Sequence, residues 1–126
     1  MTTLPNLSAM ECDCLLRYVE TLIGLGAGNI DEIWVFGSVA RGESWPRGMG
    51  LRSDLDLLAV MNTRLAEEAV QSAVDATYPL FLECGRQISP EFWTVAELDA
   101  PSTERKRAFV ENFRRDAILI WKRNQA

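Results

Sequence analysis

Two aspartates one residue apart, Asp54 and Asp56, are the residues of this 126-residue sequence whose type and spacing speak most directly of chemistry. In an extended segment alternate side chains point the same way. Ser53-Asp54-Leu55-Asp56-Leu57 therefore sets two carboxylates side by side on one face and two leucines on the other. Like charges held that close repel, and a pair of hard oxygen donors suits Mg²⁺, which also coordinates phosphates. The plain alternative is a half-exposed strand with both carboxylates in water. Aspartate is disfavoured inside strands, which weighs against it.

A second feature lies just upstream. The run Ile30 to Phe36 (IDEIWVF) is rich in β-branched and aromatic residues and passes straight into Gly37-Ser38, followed by Val39-Ala40-Arg41 as a helix start. Glycine allows a tight turn, and a strand-to-helix junction exposes amide donors and a partial positive charge, which together make a phosphate cradle. Ser38 could add a hydroxyl donor and Arg41 a cation. Taken alone, Gly-Ser after a strand is more often an ordinary turn.

The order Gly37-Ser38-Val39-Ala40-Arg41-Gly42, a short insert, then Ser53-Asp54-Leu55-Asp56-Leu57 resembles the signature of the DNA polymerase β-like nucleotidyltransferases, in particular their minimal, antitoxin-like members. The resemblance spans residues 8 to 122. It implies that Gly37 and Ser38, with Arg41 and Ser53, contact the nucleotide, and that Asp54 and Asp56 hold Mg²⁺ or Mn²⁺. The implied reaction is transfer of a nucleoside monophosphate, with ATP as the first candidate donor, onto a hydroxyl. Small members are often encoded beside a HEPN-domain protein and act as its antitoxin, some by adding AMP to a toxin tyrosine. A chain this small has little room for an acceptor pocket, so the acceptor is expected on a second molecule.

Active members usually place a third carboxylate on the next strand. Here the segment Gln87 to Val95 (QISPEFWTV) offers Glu91, with Glu83 before it and Glu97 near its end; Glu91 is the first choice, and a solvent-facing glutamate beside a proline is its ordinary alternative. If none serves, the protein becomes a nucleotide-binding or partner-binding module without catalysis. A transferase for a small-molecule hydroxyl is a third reading, but such enzymes usually carry an additional helical domain. The insert Glu43 to Arg52 (ESWPRGMGLR) reads as a loop over the site in which Trp45 could stack on a base and Arg47 or Arg52 meet phosphates; a solvated loop is the commoner case.

Composition narrows the remaining classes. The chain contains no histidine, which excludes Ser-His-Asp and Cys-His catalysis and any histidine base or zinc ligand. Three cysteines, with Cys12 and Cys14 on different faces of a helix, argue against a disulfide framework. A net charge of −5 argues against a broad nucleic-acid-binding surface, leaving RNA only as an acceptor. The cations of Arg105, Lys106, Arg107, Arg114, Arg115, Lys122 and Arg123 read as a solvated helix face, and Phe109, Phe113 and Trp121 as core. The sequence lacks a membrane-spanning run and a signal peptide, so a cytoplasmic location is expected, and a homo-oligomer stays open.

The elements that must position these groups follow from periodicity. Ser8 and Glu11 form a capping box for a helix carrying Leu15, Val19, Leu22 and Ile23, stopped by Gly24, Gly26 and Gly28. Strands are expected at Ile30 to Phe36, Leu55 to Met61 and Gln87 to Val95, the last at an edge or bulge because of Pro90. A helix from Arg64 to Ala76 should end at Tyr78-Pro79, another should start at Pro101 to Glu104 and run through Arg115, and Ala117 to Trp121 is a short strand or a helical end. The length and order predict one α+β (α/β) domain over residues 1–126 with a small mixed sheet flanked by helices.

Overall fold

The computed structural model describes residues 7–26, 28–42 and 54–123. Helix α1 (Ala9–Gly26) opens as its sequence demands: the Glu11 amide donates to Ser8 Oγ at 3.1 Å and the Ser8 amide to Glu11 Oε1 at 2.8 Å. Leu15, Tyr18, Val19 and Leu22 form its buried face. Strand β1 (Ile30–Phe36) leads into a single helical turn, α2 (Gly37–Ala40), and strand β2 (Leu55–Met61) follows. Both strands have the bounds read from the sequence.

Beyond β2 the chain is more helical than its pattern suggests. Helix α3 (Glu67–Asp75) starts three residues later than expected, and Tyr78-Pro79 does not end the helical run. Instead a second helix, α4 (Thr77–Cys84), begins there and keeps Pro79 in its first turn, where a missing amide donor leaves no intrahelical bond unmade. Strand β3 (Ile88–Thr94) runs directly into a short α5 (Val95–Asp99), which the sequence reading missed. Helix α6 (Glu104–Asp116) is capped by Thr103, whose hydroxyl accepts from the Lys106 amide at 3.1 Å. The apolar tail is a strand, β4 (Ile118–Lys122).

The four strands form one mixed sheet in the order β3-β2-β1-β4. β1 lies antiparallel to β2 and β4, while β2 and β3 run parallel. Pro90 thus lies on an edge strand, where a missing N–H is tolerated. Helices cover both faces. One face carries Ile33, Val35, Leu55, Leu57, Ala59 and Ile88 against α1, α3 and α4; the other carries Leu58 and Val60 against Leu98 of α5 and Val110 and Phe113 of α6. β2 is therefore buried on both faces, and Asp56 is its one half-buried position. Beside the first core, Arg86 Nε donates to Glu11 Oε2 at 2.9 Å with both side chains almost fully enclosed, so the glutamate that caps α1 also neutralises a buried guanidinium at the entry to β3. Among the described residues no helix is long and apolar enough to cross a membrane, and all three cysteines are free thiols.

Candidate functional site

Antiparallel pairing sets Phe36, the last residue of β1, opposite Asp56. The chain must then turn away within one residue. Gly37 does so at φ +75°, a backbone conformation that costs most side chains about 1–3 kcal/mol. The turn closes on Asp56, because a Cβ on Gly37 would run into the Asp56 carboxylate. Glycine is needed here on both counts, for its backbone freedom and for its lack of a side chain.

Around this contact the sheet gathers several of the residues singled out in the sequence. Asp54 stands just ahead of β2 and Asp56 inside it, two positions apart and on the face of Leu58 and Val60. On β3 the register places Ser89 opposite Asp56 and Glu91 opposite Leu58, so both share that face. Burial, then the neighbouring charges of Asp54 and Glu91, push the Asp56 carboxyl up to about 6, with Arg41 pulling the other way. Asp54 and Glu91 are thus close enough to oppose the ionisation of Asp56. Arg41 reaches this end of the sheet and also pairs with Asp116 at the end of α6, 3.9 Å away.

Other predicted groups lie elsewhere. Glu83 is on α4, bound to Arg17 at 2.6 Å. Glu97 reciprocates a capping box with Thr94 at the start of α5 and pairs with Arg64, and the Thr94 amide holds its carboxyl below the usual carboxylate range. Both alternatives to Glu91 are therefore occupied by structural duties. Glu91 is exposed and accepts from the Trp93 indole at 3.2 Å. Ser38 is half-buried in α2. That helix is only one turn long, so its contribution is the amides of the turn itself and little of a helix dipole. Ser53, Trp45, Arg47 and Arg52 lie outside the described residues.

One participant was not read from the sequence. The Ser89 hydroxyl donates to Asp54 Oδ2 at 2.7 Å. Alternation along QISPEFWTV puts Ser89 on the face of Glu91, but which of the two meets the aspartates depends on a strand register that no local pattern encodes.

The donor set fits a divalent cation in a limited way. Two adjacent carboxylates, one of them half-buried and resisting ionisation, form a local negative centre that a cation would relieve, and Mg²⁺ commonly takes one or two carboxylates and completes its shell with water and phosphate oxygens. Among the described residues no group of three or more carboxylates or thiols is placed to hold a metal by itself. The residues present therefore match a cation shared with a phosphorylated ligand.

No family model and no curated protein matches the sequence. Solved structures do. A toxin-antitoxin crystal structure with AMP-PNP superposes with a TM-score of 0.53 at 15% identity, covering 86% of this chain and 74% of that one. A tyrosine-to-alanine variant of the toxin-antitoxin MntA-HpeT gives 0.52 at 13% identity over 87% and 74%. A second variant of that pair, with two aspartates changed to glutamate, gives 0.52 at 11% over 86% and 74%. Identities this low speak for architecture alone, and that architecture, a four-stranded mixed sheet between helices, is the polymerase β-like nucleotidyltransferase fold implied by the Gly37-Ser38 and Asp54/Asp56 motifs.

Proposed function

We propose that this chain is a metal-dependent nucleotidyltransferase that moves a nucleoside monophosphate, AMP in the first instance, from an NTP onto a hydroxyl of a partner protein. The observation that carries this reading is the approach of the Gly37 turn to the Asp56 carboxylate: phosphates lying on that turn would lie beside the aspartate pair. Asp54 and Asp56 would hold Mg²⁺. Bound there, the ion supplies charge neutralisation at the phosphate oxygens and lowers the barrier to attack on the α-phosphorus.

The chain's own residues then divide the remaining work. Gly37 admits the phosphates close to the backbone, and the Ser38 hydroxyl is a donor to them. Arg41, steadied by Asp116, adds positive charge beside Asp56. Glu91 has no cation partner among the described residues and is the carboxylate on this face able to take the proton of the attacking hydroxyl. The acceptor oxygen bonds to the α-phosphorus as the bond to pyrophosphate breaks. A toxin-antitoxin structure of the same fold was solved with AMP-PNP, which supports both an adenine nucleotide and a toxin partner; a tyrosine of a HEPN-domain toxin is the acceptor we favour.

The test is transfer of label from α-³²P NTPs, one base at a time with Mg²⁺ or Mn²⁺, to host proteins and RNA. Label on a discrete protein with the ATP donor, reduced at least about 100-fold by Asp54→Asn in a folded chain, is the expected result, since even partners outside the ligand set typically cost about 10–100-fold. Absence of label with the folded wild type would overturn it. The second reading, a module that neutralises its partner by binding alone, is favoured by one observation: Glu91 stands level with Leu58 and not with the aspartates.

A further inference from the structure

The parallel register of β2 and β3 leaves one position on the neighbouring strand level with Asp56, and Ser89 occupies it. A carboxylate there would face both aspartates. A hydroxyl cannot bring the extra negative charge, but it can donate. Ser89 uses that capacity on Asp54 Oδ2, at 2.7 Å, from a half-buried position fixed by the strand ladder. Asp54 itself lies outside β2 and is exposed, so the ladder does not fix its side chain. Glu91, one step further along the same face, is turned to Trp93.

We propose that Ser89 is the positioning residue of this site: it holds Asp54 beside Asp56 and, standing where a third carboxylate would face the pair, makes cation binding depend on the nucleotide's phosphates. This inference rests on the nucleotidyltransferase reading above. Its logic is one of donor number. Two carboxylates leave most of an octahedral shell to water, which binds the free ion weakly; triphosphate oxygens replace part of that water and neutralise the ion further. Orientation of a ligating carboxylate by an outer hydrogen bond is commonly worth about 10–100-fold in metal affinity.

The experiment is a Mn²⁺ titration of the full chain, read by electron paramagnetic resonance, with the ion alone and with α,β-methylene-ATP. Circular dichroism melts establish that each variant is folded. Wild type should take Mn²⁺ at least about tenfold more tightly with the analogue than without it. Ser89→Ala should weaken the ternary complex about tenfold, and Ser89→Thr, which keeps the hydroxyl, should restore it to within about threefold. Ser89→Asp should bind Mn²⁺ alone at least about tenfold better than wild type, uncoupling ion from nucleotide.

Equal ternary affinity in Ser89→Ala, no rescue by a folded Ser89→Thr, or no gain in free-ion binding with Ser89→Asp would overturn the inference and leave the nucleotidyltransferase reading standing. A wild type that binds no Mn²⁺ with or without the analogue would overturn the reading itself.

Discussion

One face of strand β2 is divided into two halves with opposite energetics. Leu58 and Val60, in its later half, disappear beneath α5 and α6, where Trp34, Phe36, Trp93, Phe109 and Phe113 interlock. Phe113 meets Trp34 edge-on at 5.4 Å, and Phe109 stacks on Trp93 at 5.0 Å. Four and two residues before Leu58, Asp54 and Asp56 put like charges side by side, with Asp56 against a glycine at positive φ. The later half stabilises the fold by excluding water, whereas the earlier half opposes it through desolvation and repulsion. A strand anchored firmly at one end can carry an unfavourable group at the other. That arrangement is the expected sign of a site and not of a packing error, because strain persists only where its surroundings over-determine it.

The contrast can be broken from its stable half first. Phe113→Ala should destabilise the chain by about 3–5 kcal/mol in urea unfolding, since it removes a buried ring that touches Trp34, Phe36 and Phe109. A loss below about 1 kcal/mol would mean that α6 is not packed on the sheet as described. Gly37→Ala comes next: a Cβ both at φ +75° and against Asp56 should cost about 1–3 kcal/mol and, by displacing the carboxylate, lower nucleotide transfer as well.

Asp56→Asn should act in the opposite direction. With a folded-state value of about 6, above the ordinary value of 3.8, the protonated form of Asp56 is favoured in the folded protein. Its contribution to stability is in place below about pH 4 and is lost as pH rises to about 6, beyond which ionised Asp56 is a net cost. The displacement corresponds to about 3 kcal/mol unscreened, and roughly half that for a half-exposed side chain. In metal-free buffer, Asp56→Asn should therefore stabilise the protein by about 1–2 kcal/mol at pH 7.5 and by little at pH 4. Equal effects at both pH values would contradict the repulsion at the site. The smallest change is expected from Arg64→Ala, which removes an exposed pairing with Glu97 and should shift stability by less than about 1 kcal/mol, without touching nucleotide transfer. A large loss of transfer there would bring Glu97 back as the third carboxylate.

Much of this was legible in the sequence wherever the deciding interactions are local. The capping box at Ser8 and Glu11 reads directly from a three-residue spacing, and the bounds of β1 and β2 from their apolar runs. The second helix after α3 was not legible, because Tyr78-Pro79 has the look of a stop when it is in fact the first turn of α4. The short α5 was hidden for a similar reason: QISPEFWTV continues an extended pattern up to the residue where Thr94 becomes a cap. Glu11 shows the limit from another side. Its capping role is local, but its pairing with Arg86 links positions 75 residues apart and is visible only in the fold.

By itself the sequence determined the chemistry on offer: carboxylates without histidine, a glycine turn after a strand, and alternation that sets Asp54 and Asp56 on one face. These are consequences of residue type and of the two-residue period of a strand, which need no partner to be true. Only the tertiary structure decided who stands opposite whom. The Phe36–Asp56 pairing brings the Gly37 turn onto a carboxylate, and the parallel register of β3 gives Ser89, and not Glu91, the place beside Asp56. Register is a property of two strands brought together by the packing of whole faces, so no single segment carries it.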